Sequence, residues 1–262
     1  SEHRVEIDGG GRVLMPGLID AHWHAMLASM PIAAMRTADI GYLNLVAGEQ
    51  ATRTLHRGFT TVRDAGGPSF GLKRAIDDGT VAGPRIYPSG AFISQTSGHG
   101  DFRMPHEVPR GICGHLSQVE IMGASTIADG ADEVLRAVRE QLMLGATQIK
   151  MMAGGGVSST YDPVDVTQYT EAELRAGVEA AENWGTYVLV HAFTPRAVQQ
   201  ALRAGVRSIE HGFLLDDATA AMIAERDAWW SLQPMLDDED AIQFSEQAKR
   251  AKLKQVIAGT DQ

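Results

Sequence analysis

One pattern recurs along this chain and restricts its fold more than any other: a short apolar run, a tip rich in Gly, Asp or His, then a segment of helical period. The strand candidates are residues 18–24, 59–64, 85–93, 147–152, 187–193, 206–211 and 228–233. Between them lie helix patterns. Residues 132–144 place Val134, Leu135, Val138 and Leu142 at helical spacing. Thr170 caps residues 171–184, with Glu173 at the position that reaches back. Residues 195–204 and 216–225 follow the same habit, and Leu202-Arg203-Ala204-Gly205-Val206 ends a helix on Gly and begins a strand. Strands alternating with helices predict a parallel sheet. The polar and metal-capable residues stand at the C-terminal ends of the strands, where a (β/α)8 TIM-like barrel carries its site. A doubly wound open sheet would ask for a Gly-rich turn after the first strand, and this chain has His22-Trp23-His24 there instead.

The chain has 262 residues, a length at which such barrels fold as one domain. A net charge of −10 argues against a nucleic-acid surface. Cys113 is the sole cysteine, which excludes an intramolecular disulfide. No apolar run reaches the length of a membrane span and no signal peptide is visible, so a cytoplasmic protein that engages neither membrane nor nucleic acid is expected. Residues 94–128 are rich in Gly, His and Pro without clear period, the character of a functional loop.

His22 and His24 are two residues apart in an apolar strand, so both imidazoles face one side. The pair alone also fits two polar residues at a strand end. Lys150 interrupts the otherwise buried strand Gln148-Ile149-Lys150-Met151-Met152. A salt bridge or an ammonium reaching the barrel mouth would account for it. So would chemistry: a buried lysine is readily a neutral amine, and a neutral amine takes up carbon dioxide to form a carbamate able to bridge two metal ions. His191 and His211 each end a further strand. Four histidines at the tips of three strands favour the chemical reading of Lys150, and imidazole with carboxylate-like oxygen suits zinc and its neighbours.

Together these segments resemble the amidohydrolase superfamily. Pro16-Gly17-Leu18-Ile19-Asp20-Ala21-His22-Trp23-His24 is similar to its opening signature, and Thr60-Thr61-Val62-Arg63-Asp64-Ala65-Gly66-Gly67 to its second strand. The run from Ile149 to Ser159 resembles strand four of the binuclear-metal branch that includes Xaa-Pro dipeptidases, carboxypeptidases for C-terminal arginine and lysine, and ochratoxin-type amidohydrolases. His191-Ala192-Phe193-Thr194-Pro195 and Ser208-Ile209-Glu210-His211-Gly212 resemble strands five and six. The resemblance implies two divalent metal ions, zinc in kind. His22 and His24 would hold one, His191 and His211 the other, and a CO2-derived carbamate on Lys150 would bridge them. A water between the metals would be the nucleophile against an amide bond, which makes Lys150, His191 and His211 catalytic as well as ligating. His99, in Ser97-Gly98-His99-Gly100-Asp101, would touch the substrate carbonyl or carboxylate; a solvated loop histidine is the alternative. Relatives of this kind tend to form homo-oligomers.

The sequence departs from that pattern in places. Gly259-Thr260-Asp261 superficially fits the strand-eight aspartate that moves the proton. Yet Ala241, Ile242, Ala248, Leu253, Val256 and Ile257 read as one amphipathic helix running almost into it, leaving no room for a strand. Residues 16–262 are therefore expected to form a barrel truncated before strand eight, and residues 1–15 a remnant of a small flanking β-sandwich, with 5–15 as its last strand. Phe193 stands where many relatives carry Tyr or His; it supplies apolar pocket surface or plain core. Arg63 and Asp64 read as a structural ion pair, Trp229-Trp230 as barrel core, and Tyr161 and Arg196 as surface residues. The function expected is hydrolysis of a dipeptide or N-acyl amino acid, as a metallo-dipeptidase, carboxypeptidase or amidase. Two alternatives remain: a cyclic amide hydrolase resembling imidazolonepropionase, against which Lys150 argues because such relatives use one metal, and a catalytically inactive structural relative.

Overall fold

The computed structural model describes residues 6–108, 112, 114–159 and 161–233, and the backbone of 256–258. Parallel strands alternate with helices from β1 (Leu18–Trp23) to β10 (Val256–Ala258). Two sheets carry them, in the orders β1-β2-β3 and β10-β9-β8-β7-β6-β4-β5. Here β2 is Phe59–Asp64, β3 Arg85–Pro88, β4 Phe92–Ser94, β5 Ser125–Ile127, β6 Ile149–Met152, β7 Val188–Ala192, β8 Ser208–His211 and β9 Trp229–Leu232. The element order and all-parallel pairing are those of a (β/α)8 barrel left partly open: the two sheets share no hydrogen-bonded ladder among the described residues.

The helices follow their sequence signals. Those used below are α5 (Ala131–Leu144), α6 (Glu171–Asn183), α7 (Pro195–Ala204) and α8 (Asp217–Glu225); α1 to α4 are Ile32–Met35, Ile40–His56, Phe70–Asp77 and Gln118–Ile121. Thr170 and Glu173 form the reciprocal capping box at α6, and Asp216 caps α8. The α7 helix begins on Pro195 and ends at Gly205 with φ 100°, a left-handed cap that glycine adopts without steric cost. Fully buried Ile149, Met151, Val188 and Val190 on the strands pack with Val134, Leu174 and Leu202 on α5, α6 and α7. Gly177 lets α6 close on the sheet, because a Cβ there would stand 2.5 Å from the sulfur of Met151.

Four expectations change. Residues 85–93 are two strands, not one: at Gly90 the backbone turns to φ 75°, and the Gln141 side chain of α5 enters the gap to accept from Ala91 N at 2.9 Å. The 94–128 stretch contains α4 and the added strand β5, paired to β4. Val256 and Ile257 belong to β10, in register with Trp230 and Ser231, and not to a helix. A short strand thus stands beside β9, and close to β1, where the sequence reading left no room for one. The rest of that helix reading and Asp261 lie outside the described residues, as does Cys113. Residues 6–17 form no strand, and Ile7, Val13 and Leu14 are exposed. Among the described residues no helix is long and apolar enough to cross a membrane.

Truncating the fully buried Leu174 of α6 to Ala is expected to cost about 2–5 kcal/mol through lost transfer and a residual cavity, read from the urea midpoint at unchanged slope.

Candidate metal centre

Strand register places the first donors. Met152, His191 and Glu210 are in line across β6, β7 and β8, and Lys150 is two residues before Met152 on the same face. Lys150, His191 and Glu210 therefore share the barrel interior, each 5% exposed or less. His211 follows Glu210 and would face outward in a regular strand. Its φ of 72° breaks the alternation, a left-handed backbone that costs a residue other than glycine about 1–2 kcal/mol. Two β9-side groups hold it there: Gln233 Oε1 accepts from His211 N at 3.0 Å, and Trp230 Nε1 donates to His211 O at 2.9 Å. The ring consequently turns back to the mouth, 4.5 Å from His191 and 4.9 Å from His22 between centroids. His22 and His24 are 5.1 Å apart, where the register of β1 on β2 shifts between Asp20 and Trp23. The four predicted histidines are thus brought together.

Hydrogen bonds settle which ring nitrogens face inward. His22 Nδ1 donates to Glu210 Oε2 at 2.6 Å, His24 Nδ1 to Gly66 O at 3.2 Å, and His191 Nε2 to Gly155 O at 3.0 Å. Each acceptor is a carbonyl or carboxylate oxygen, so each of these nitrogens carries the hydrogen, and in a neutral ring the opposite nitrogen keeps its lone pair. That is the usual arrangement around metal-binding imidazoles. Among the described residues no three His, Cys, Asp or Glu side chains converge on one ligand point. The four imidazoles and the Lys150 side chain nevertheless share one interior. Burial, with the neighbouring His99, His211 and Lys150, holds the His191 pKa well below its ordinary value and so favours the neutral, ligating form.

Glu210 is a buried charge whose contacts its place in the motif hides. Its carboxylate is fully buried and receives both Arg63 Nη2 contacts at 2.8 Å, Ser208 Oγ at 2.6 Å and the His22 ring. Burial alone would raise its pKa; Arg63, His22 and Lys150 outweigh burial and hold it far below the usual carboxylate range. The expected Arg63–Asp64 ion pair does not form. Arg63 turns inward to Glu210, and Asp64 Oδ1 instead accepts from Ala25 N at 3.4 Å and Gly66 N at 3.3 Å. Burial pushes the Asp64 pKa up to about 6.

An apolar and a polar wall flank the donors. Phe193 is buried and stacks on His211 at 5.2 Å, with Phe213 5.5 Å beyond and Phe92 5.5 Å from His24. His99 lies flat on His191, with centroids 4.0 Å apart and planes 17° apart. Trp230 is core as expected, while Trp229 is partly exposed and lines a cavity of about 920 Å³ at the opposite mouth, together with Arg63, Arg85, Tyr87 and Tyr187. Tyr161 and Arg196 are exposed, as a surface role requires.

Glu210→Ala is expected to destabilise the fold by about 3–5 kcal/mol, because it strands the Arg63 charge in the interior. The pH dependence has a definite sign. The folded-state pKa of Glu210 is depressed, so its stabilisation is full above the unfolded value of about 4.3 and is lost as pH falls towards the folded value. Urea melts of wild type and Glu210→Ala should therefore converge as the pH is lowered below 4.

The amidohydrolase family profile matches residues 13–259. Ochratoxinase of Aspergillus niger is 36% identical over 234 residues, which cover 86% of this chain and 47% of that protein. The chain thus spans about half the length of the curated relatives it matches. Among solved structures, an amidohydrolase superposes with TM-score 0.88 at 41% identity, covering 100% of this chain and 68% of the other. A prolidase complexed with N-methylphosphonate-L-proline superposes with TM-score 0.84 at 35% identity, covering 100% and 70%.

Proposed function

Because the chain belongs to the amidohydrolase family, we propose that it forms the metal-holding barrel of an enzyme that hydrolyses the amide bond of a dipeptide or N-acyl amino acid. The observation that carries this reading is the convergence of His22, His24, His191 and His211 with the buried Lys150 at one barrel mouth. The prolidase and ochratoxinase likenesses support the substrate class.

In this reading His22 and His24 would hold one divalent ion, zinc in kind, His191 and His211 would hold the other, and Lys150, as a carbamate formed from carbon dioxide, would be the ligand they share. Bound divalent ions of this sort lower the pKa of a water towards neutrality and polarise the scissile carbonyl. The chain's own groups do the rest. Glu210 and Gly155 keep His22 and His191 in the tautomer and pose that ligation needs. The depressed pKa of His191 keeps its ring available over the neutral range. Phe92, Phe193 and Phe213 give the mouth an apolar side that excludes water and suits an apolar substrate side chain. His99 presents its Nε2 edge to the substrate from the opposite side. In the family, an aspartate following strand eight collects the proton; Asp261, three positions past β10 in the sequence, lies outside the described residues, and no residue is assigned to that step.

The test is to express the full-length protein with zinc and bicarbonate, count bound metal, and screen dipeptides and N-acyl amino acids. Two ions per chain and turnover of at least one member are expected. Lys150→Ala is expected to fall below two ions and to lose at least about 100-fold in kcat/KM, the scale on which a metal-assisted step depends on its ligands. Retention of both ions and wild-type turnover by Lys150→Ala would overturn the role given to that lysine.

A further inference from the structure

The segment from Gly154 to Asp162 touches two imidazoles, and only one of them belongs to the donor set. Gly155 O accepts from His191 Nε2. Seven residues on, Asp162 Oδ2 stands 2.9 Å from His99 Nδ1, and Ser159 Oγ stands 2.6 Å from the same nitrogen. Asp162 is 3% exposed and His99 8%. The carboxylate is itself anchored, since Gly156 N donates to the same Oδ2 at 2.9 Å. Burial would raise the Asp162 pKa; the bonds from His99, Ser159 and Gly156 prevail and hold it below the usual range, so it remains an acceptor.

The His99 ring has no freedom to turn. One face lies on His191. Gly156 approaches so closely that a Cβ there would fall 2.1 Å from His99 Cε1. The backbone N–H of His99 donates to Gln168 Oε1 at 2.9 Å. With a carboxylate opposite Nδ1, the hydrogen is fixed on that nitrogen. The edge that remains is Nε2, whose nearest polar neighbour is Ser158 Oγ, at 3.5 Å. A neutral His99 therefore presents a lone pair at Nε2, which can accept from a substrate N–H; contact with a carbonyl or carboxylate oxygen instead needs a second hydrogen, on Nε2 beside the one on Nδ1.

We propose that Asp162 is the positioning residue for His99: it holds the hydrogen on Nδ1 and aims Nε2 at the substrate bound beside His191. The assignment rests on the hydrolase reading for its substrate. It makes the 154–162 loop a single device that sets the tautomer of a metal-side histidine through Gly155 and of a substrate-side histidine through Asp162. The pairing couples residues 63 positions apart in the chain and parallels the way a carboxylate orients a reacting imidazole in hydrolytic triads.

The test uses the full-length protein loaded with zinc, labelled with 15N-histidine, and the substrate identified by the screen. The ring nitrogen shifts of His99, assigned by their disappearance in His99→Gln, are expected to report hydrogen on Nδ1 in the wild type and its loss from Nδ1 in Asp162→Ala. Bound metal is expected to stay at the wild-type ratio in both variants. Asp162→Ala and His99→Ala are each expected to lower kcat about 10- to 100-fold, the range for groups that orient a functional side chain. The double variant should fall no more than about twofold below His99→Ala, because residues acting as one unit are not additive. Hydrogen on Nε2 alone in the wild type would overturn the proposal, and so would losses that multiply in the double variant. The wild-type nitrogen shifts decide the matter even if Asp162→Ala fails to fold. They also need no substrate. A protein without any turnover would thus refute the hydrolase reading while the Asp162–His99 relation was still judged on its own.

Discussion

The buried chain Arg63–Glu210–His22 is the interaction on which the rest of this barrel depends. The three side chains come from β2, β8 and β1, and thus from both sheets. Where no backbone ladder joins the sheets among the described residues, a guanidinium, a carboxylate and an imidazole span the interior instead. The geometry meets the strict condition for burying charge. Glu210 has both oxygens occupied, and Arg63 spends its remaining donors on Ala21 O, Ser208 Oγ and Tyr187. Isolated burial of either charge would cost several kcal/mol. Paired, they fix the pose of His22 and link the two sheets. At β3 the second seam is polar but uncharged: Gln148 Nε2 donates to Asp64 O and Tyr87 O, and Thr147 N to Pro88 O.

The candidate site is built on rigid strands and tuned from loops. Lys150, His191 and Glu210 need only strand register to share a face. The tautomers of three histidines, by contrast, are set by groups off the strands: Gly66 O for His24, Gly155 O for His191, and Asp162 for His99. Glycines recur at these points for a steric reason. Gly66, at φ 147°, passes so close to Phe92 that a Cβ would overlap the ring. A bulkier backbone at Gly66 or Gly156 would displace an aromatic neighbour of the metal side.

Much of this is legible in the sequence because it rests on local rules. Alternating apolar runs and capped helices mark β6, α6, β7, α7 and β8 within a residue or two, and strand-end histidines mark the mouth. What is not legible depends on backbone geometry or long-range contact. Nothing local distinguishes Glu210 from any polar residue beside a histidine, or shows that Arg63 abandons its neighbour Asp64 for a carboxylate 147 positions away. The inward turn of His211 needs a left-handed backbone that its composition does not announce. Val256 and Ile257 fit a helical stripe and a strand equally well; the free edge of β9 decides for the strand. Asp162 carries no motif of its own, and only proximity to His99 identifies it.

One consequence concerns the order in which this protein comes together. The pose of His211 is set by Trp230 and Gln233, which lie 19 and 22 residues downstream and belong to the next strand and its end. A nascent chain that had emerged only as far as β8 would own every histidine of the cluster and yet lack the clamp that directs the last of them. The inward pose of the last imidazole is thereby tied to the docking of β9, so that a half-made barrel holds the cluster incomplete until the later strand is in place.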